Sequence, residues 1–388
     1  MKQSKLLLPM IILTLSGLLL NACSYSVQVL ATPNSSAPTT TQAVIVPTVT
    51  QAEALPTLIQ PAATPTLISI RADTINLLKI FESFALGDTV RSLVFTPDGT
   101  TLAAAGGNTD EYAIHLWDVA NGQTVGVLGG HHNIVWGVAF SPDGKLLASV
   151  SSDGTAQVHD WRTGDVEKIL NFPGQVVSVG FSPDGQALAV GGVDTLKNQV
   201  QTAAVWTYSV GSWEPLLKFP EFLNITALAY SPKGGTLIGG GTSRNVQVWR
   251  TDNGAPQFTL NHAHQVSKAV ISPDGSTVAT GTCATVVNTD CTEGAVWLWD
   301  LPTGKLLKKL GGFPNMVESL AFSADGSALI VGSRDGTLRV YATSNYQSVF
   351  EVVSPGGIET LALSPDGGLL ATGNDNGDVN LWKIVYHP

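Results

Sequence analysis

A five-residue phrase occurs seven times in this chain of 388 residues and sets the scale on which it can fold. It reads FTPDG ending at Gly99, FSPDG at Gly144 and Gly185, and YSPKG at Gly234. ISPDG then ends at Gly275, FSADG at Gly326 and LSPDG at Gly367. Successive glycines lie 45, 41, 49, 41, 51 and 41 residues apart, so a unit of 41 residues is copied and every other copy is longer.

Each copy reads as four short strands separated by turns. In the second copy Val135 to Phe140 alternates large apolar residues with others, and Pro142-Asp143-Gly144 turns the chain. Leu146 to Ser149, Ala156 to Trp161 and Glu167 to Leu170 follow, separated by Ser152-Asp153-Gly154 and Thr163-Gly164. Proline presets φ for a turn and glycine accepts positive φ, which gives this punctuation a mechanical basis. Runs this short leave no room for helices. One four-stranded antiparallel unit cannot bury both faces, so the copies must pack on one another.

Units of this length and phrasing resemble the WD-repeat family, whose fold is the β-propeller. The likeness runs from about residue 75 to residue 386, and the third strands end on matching pairs: Leu116-Trp117-Asp118, Leu298-Trp299-Asp300, Val248-Trp249, Val205-Trp206 and Leu381-Trp382. The resemblance implies an all-β, seven-bladed β-propeller over 69–388, with four antiparallel strands per blade. The last unit stops after its third strand. The run Leu77-Leu78-Lys79-Ile80-Phe81 before the first unit is expected to supply the missing outer strand and close the ring, covering an edge otherwise open to aggregation.

Residues 1–22 read as a secretory signal, with Lys2 and Lys5 ahead of an apolar core from Leu6 to Leu20. The ending Leu20-Asn21-Ala22-Cys23 resembles a bacterial lipobox, which implies cleavage before Cys23 and its acylation. The stretch 23–68 has six Pro and nine Thr, no Lys or Arg, and Glu53 as its one acidic residue. It reads as a disordered tether. The expected protein is therefore lipid-anchored in the cell envelope, outside the cytoplasm, and monomeric.

Without Lys2 and Lys5 the chain keeps 18 basic against 30 acidic residues, which argues against nucleic acid or an anionic membrane surface as a main partner. The lipid anchor is then the expected membrane contact. With Cys23 acylated, Cys283 and Cys291 remain as a pair, and an exported compartment permits a disulfide that would constrain its short loop by about 2.5 kcal/mol.

The surplus length falls between second and third strands: Asn108 to Tyr112 in blade one, Asp194 to Thr202 in blade three, and Thr282 to Gly294 in blade five. By the resemblance these loops share one face of the disc, where binding usually resides. The second position of each first strand should ring the channel mouth on that face: Arg91, Trp136, Val177, Thr226, Ser267, Glu318 and Glu359. Ring closure makes Glu318, Glu359, Arg91 and Trp136 contiguous, a candidate recognition arc in which the two glutamates select a positive group. Trp213, in a turn on the opposite face, is a minor candidate for an exposed contact.

The family's structural network carries over in part. His131, Ser149 and Asp153 match in blade two, where His159 replaces the Trp; His262 and Thr280 match in blade five, and Asp335 in blade six. These residues orient loops, and the His, Ser and Asp of blade two are not expected to form a hydrolase triad. No GxSxG, HExxH or GxxxxGK[ST] phrase is present, so no enzyme activity, cofactor or metal is expected. The leading expectation is a scaffold that binds a protein or peptide of unknown identity on its loop-rich face. The alternative is a small-ligand-binding or metal-dependent enzyme using the channel mouth.

Overall fold

Among the described residues twenty-eight strands and no helix are present. The computed structural model describes residues 78–85, 88–107, 112–197, 200–222 and 225–384. The signal, lipobox Cys23 and tether assigned above lie outside them. The strands form seven four-stranded antiparallel sheets. Blades one to seven begin with the innermost strands Val90–Phe95, Val135–Phe140, Val176–Phe181, Ala227–Tyr230, Val266–Ile271, Val317–Phe322 and Ile358–Leu363. Each touches the innermost strands of both neighbours, and the seventh touches the first, so the ring is a closed seven-bladed propeller.

Closure follows the sequence expectation. Leu78–Ala85 pairs antiparallel with Asp378–Ile384 and becomes the outer strand of blade seven. The remaining blades take all four strands consecutively. Because each sheet is a meander, the repeated phrase and the third-to-fourth turns lie on one face. The starts of the inner strands and the second-to-third turns lie on the other.

The repeated phrase is a hydrogen-bonded device. In blade two the Ser141 hydroxyl donates to Asp143 at 2.6 Å and accepts from Leu146 N at 2.9 Å, while Asp143 also accepts from Lys145 N at 3.2 Å. Gly144 takes φ 69°, which glycine adopts without a Cβ penalty. The same turns make the blades touch. A Cβ at Gly144 would lie 3.5 Å from Pro97 Cδ of blade one, and one at Gly99 would lie 3.4 Å from Pro365 Cδ of blade seven. Proline is therefore both a turn former and the next blade's neighbour in every blade but six, where Ala324 takes its place.

One apolar cluster fills each of the seven wedges between blades. Trp117, Trp249, Trp299 and Trp382 each join the cluster shared with the preceding blade. Register corrects one sequence match. Leu188 pairs with Tyr208 as Leu102 pairs with Trp117, so Tyr208-Ser209 holds the Trp-Asp place in blade three and Trp206 stands two residues earlier.

Two further expectations change. The surplus of blades three and five is not loop but strand: Ala187–Lys197 with Val200–Ser209, and Thr277–Val287 with Asp290–Asp300, rise as paired hairpins. The blade-one insertion at 108–111 lies outside the described residues. Trp213 is not an exposed contact: it is 9% accessible and packs against blade two. It occupies, at φ 58°, the turn position held by Gly122 and Gly164 in blades one and two, and its indole covers apolar surface that glycine would leave open.

The hydroxyl bond holds Asp98, Asp143, Asp184 and Asp274 below the ordinary carboxylate range. Stability from these groups is present above that range and is lost as pH falls through their depressed folded-state values. Asp143→Ala is expected to cost at most about 1 kcal/mol at pH 7, since the carboxylate faces solvent, and the deficit should shrink as pH falls below the ordinary carboxylate range; urea denaturation across that range checks it.

Candidate functional site at the ring opening

The inner strands carry the seven mouth residues to one rim, and the charged arc assembles as the ring order requires. Glu359 accepts from Arg91 Nη1 at 3.2 Å, and the Arg91 guanidinium lies 5.0 Å from the Trp136 ring centroid. Trp136 Nε1 donates to the Ser152 hydroxyl at 2.7 Å. The neutral arc is used otherwise. The Thr226 hydroxyl donates to Val266 O at 2.6 Å and that of Ser267 to Val317 O, each stitching one inner strand to the next.

Sequence reasoning missed Arg334. It sits in the second-to-third turn of blade six, and its Nε donates to Glu359 Oε1 at 3.0 Å while Nη2 stands 3.7 Å from Glu318 Oε1. The polar chain thus runs Glu318, Arg334, Glu359, Arg91, Trp136, Ser152 across blades six, seven, one and two. This changes the expected polarity of the arc. The side chains of Glu318 and Glu359 are 14% and 8% accessible, whereas those of Arg334 and Arg91 are 47% and 27% accessible. The carboxylates act as internal anchors, and the guanidiniums meet solvent. Among the described residues only Nη1 of the Arg91 guanidinium donates a hydrogen bond, and its other N–H groups can meet a partner.

Burial pushes the Glu318 carboxyl up to about 7, against the opposing pull of Arg334 and Arg91 and with the support of the Glu359 charge. A carboxyl that binds its proton more tightly when folded loses stability as pH rises from the ordinary carboxylate range through about 7.

The matched histidine, hydroxyl and carboxylate meet in one hydrogen-bonded cluster in blade two. His131 Nδ1 lies 3.0 Å from Asp153 Oδ2, and Nε2 lies 2.8 Å from the Ser149 hydroxyl. Asp153 also accepts from His132 N at 2.9 Å and Thr155 Oγ1 donates to it at 2.7 Å, which ties two loops together. Serine, histidine and aspartate are in a triad-like order, but the His131 side chain is 1% accessible and Ser149 fully buried, so no substrate reaches them. Burial holds His131 below its usual value, and so neutral, despite Asp153. In blade five His262 Nε2 is 2.8 Å from the Thr280 hydroxyl, which accepts from Trp299 Nε1 at 3.2 Å; a backbone carbonyl, Leu260 O, stands in for the aspartate. In blade six Asp335 accepts from Thr337 Oγ1 at 2.7 Å.

On the same face the sulfurs of Cys283 and Cys291 are joined across the blade-five hairpin, with Cα atoms 5.7 Å apart. No three His, Cys, Asp or Glu side chains among the described residues converge to hold a metal ion, so the metal-dependent alternative has no donor set there.

The WD domain, G-beta repeat family matches residues 122–160, 304–342 and 347–383. Each match runs from the outer strand of one blade through the third strand of the next. The chain carries WD40 repeats on a seven-bladed propeller. It is 28% identical over 260 residues to the Protein FIZZY-RELATED 3 of Arabidopsis thaliana, covering 66% of this chain and 50% of that protein. It is 28% identical over 277 residues to the Anaphase-promoting complex subunit cdc20 of Dictyostelium discoideum, covering 70% and 52%. Meiotic fizzy-related protein 1 of Schizosaccharomyces pombe is 28% identical over 268 residues, covering 68% and 59%. The chain spans about half the length of the first two. The fold and these relatives fit a protein-interaction scaffold.

The Glu318 environment gives a signed expectation. Glu318→Gln should match the parent in stability near pH 4.5 and exceed it at pH 8, where the parent buries an ionised carboxylate. Thermal melts across this range measure the crossover.

Proposed function

We propose that this propeller is a membrane-anchored, extracytoplasmic scaffold that docks a protein or peptide segment at the ring opening. The observation that carries the reading is the exposed guanidinium pair beside Trp136, held in place by buried carboxylates. Arg and Trp are frequent hot-spot residues, and donors fixed in advance lose little entropy on binding. The favoured contact is an acceptor on the partner, a carboxylate or peptide carbonyl, meeting Arg91 and Arg334 while an apolar group covers Trp136. One relative is named as a subunit of a complex, and a role in assembly is in keeping with this reading. Acylation of Cys23 would anchor the protein to a membrane through its N-terminal segment. The Cys283–Cys291 bridge favours an oxidising compartment.

Capture by crosslinking in native membranes tests the docking face. Trp136→Ala combined with Arg91→Ala is expected to reduce partner recovery at least about tenfold with the fold retained by circular dichroism. Undiminished recovery removes this face from consideration. The anchor is tested separately. Cys23→Ser should abolish incorporation of a palmitate analogue and release the protein into the soluble fraction; a labelled, sedimenting variant would refute the anchor.

A further inference from the structure

The wedge between blades three and four lacks a part that other wedges have. The residue after each third strand's terminal pair reaches back over the preceding blade. It is Val119, Trp161, Val210 and Leu301 in blades one, two, three and five, and each packs in its wedge's apolar cluster. Blade six has Thr343 there, and Tyr346 of the same turn packs instead. Blade seven has Ile384. Blade four has Thr251, followed three residues on by Gly254, and neither joins the cluster of its wedge. A cavity of about 390 Å³ stands in that place, with Leu217, Phe219, Tyr230 and Thr251 among its walls and Asp184 and Lys233 also lining it.

Blade two shows what belongs there. The Trp161 indole N–H donates to Gly144 O at 2.9 Å, and the Thr251 hydroxyl makes the matching bond to Gly234 O at 2.7 Å. The two positions are one site, once with an indole and once without. In blade two the indole meets Phe140 edge-on at 5.7 Å and carries the Arg162 guanidinium 4.3 Å from its centroid. Tyr230 takes the place of Phe140 in blade four, since it pairs with Leu237 as Phe140 pairs with Leu147. Its hydroxyl has no hydrogen-bond partner among the described residues, and burial and the Asp184 charge keep it protonated, a donor in waiting.

The charges come from the repeated phrase and from the one break at its aspartate position. Asp184 is held ionised by the Ser182 hydroxyl at 2.5 Å and Gln186 N at 3.1 Å. Lys233 replaces the aspartate of the blade-four phrase and makes no ion pair among the described residues. A slot of this volume, walled by polar and apolar groups alike, falls within the range of small-molecule sites, and its two charges are of opposite sign.

We propose that this wedge binds a free aromatic amino acid. The ring takes the place of the absent indole against Leu217 and Phe219, the ammonium meets Asp184, the carboxylate meets Lys233, and the Tyr230 hydroxyl donates to the ligand. The site lies on the face opposite the ring opening and stands independently of the docking role.

Saturation-transfer NMR and titration calorimetry on the full chain, with L-tryptophan, indole, indole-3-acetate and tryptamine, test it. Tryptophan is expected to bind saturably and more tightly than the three analogues, and Lys233→Ala should weaken it about fivefold. Thr251→Trp, which copies Trp161, should abolish binding while its melting temperature equals or exceeds the parent's. Thr251→Leu, which copies Leu301, carries the same test should the larger side chain disturb the fold. No saturation at millimolar tryptophan overturns the proposal, as does undiminished binding by a folded Thr251 variant. Indole binding as tightly as tryptophan overturns the assigned ligand class.

Discussion

The pairing of Leu78–Ala85 with Asp378–Ile384 is the contact on which the rest depends. A row of seven four-stranded sheets has two ends, and every wedge cluster needs a blade on each side. Without this pairing blade seven would keep three strands and an open outer edge. Val90, Leu369 and Val379 pack in the wedge between blades one and seven, with Val379 on the strand that this ladder pairs. The recognition arc depends on it too, because the Glu359–Arg91 contact spans the same junction. Ring closure and site assembly are one event.

How legible this was in the sequence depended on whether a feature repeated. The phrase, its spacing and the missing last strand gave blade number, strand order and closure, because each blade reuses one hydrogen-bonded turn. Inner-strand indexing placed Glu318, Glu359, Arg91 and Trp136 side by side. Arg334 escaped because it lies in a turn and not on an inner strand, yet a second ring could have been indexed the same way: Ser152, Arg334 and Asp375 hold equivalent places after the second strands of blades two, six and seven. Trp206 misled for a different reason. A Val-Trp pair matched locally, but register is set by the turn that follows, and Glu214 O receives Ser209 N as Gln123 O receives Asp118 N. Trp213 looked exposed because turn residues usually are; its burial follows from the surface of blade two, which no local pattern in blade three reveals.

The arc also shows why composition and local polarity need separate treatment. The chain is acidic overall, with 30 acidic against 20 basic residues. At the opening, however, acid is placed below and base above. Two carboxylates with little access to solvent fix two guanidiniums that have more, so an acidic protein presents a basic, aromatic edge at one point on its rim. Glu359 takes a hydrogen bond from each arginine, so one carboxylate sets the orientation of both.

The staggered family matches have a consequence for how such a chain can grow. Since each copy of the repeat begins with one blade's outer strand and ends with the next blade's third, the heritable segment and the structural segment are out of phase. Duplicating one copy in the gene would add a whole blade while leaving the first and last strands still matched to each other. A new ring size could arise in a single genetic step without ever passing through an unclosed form.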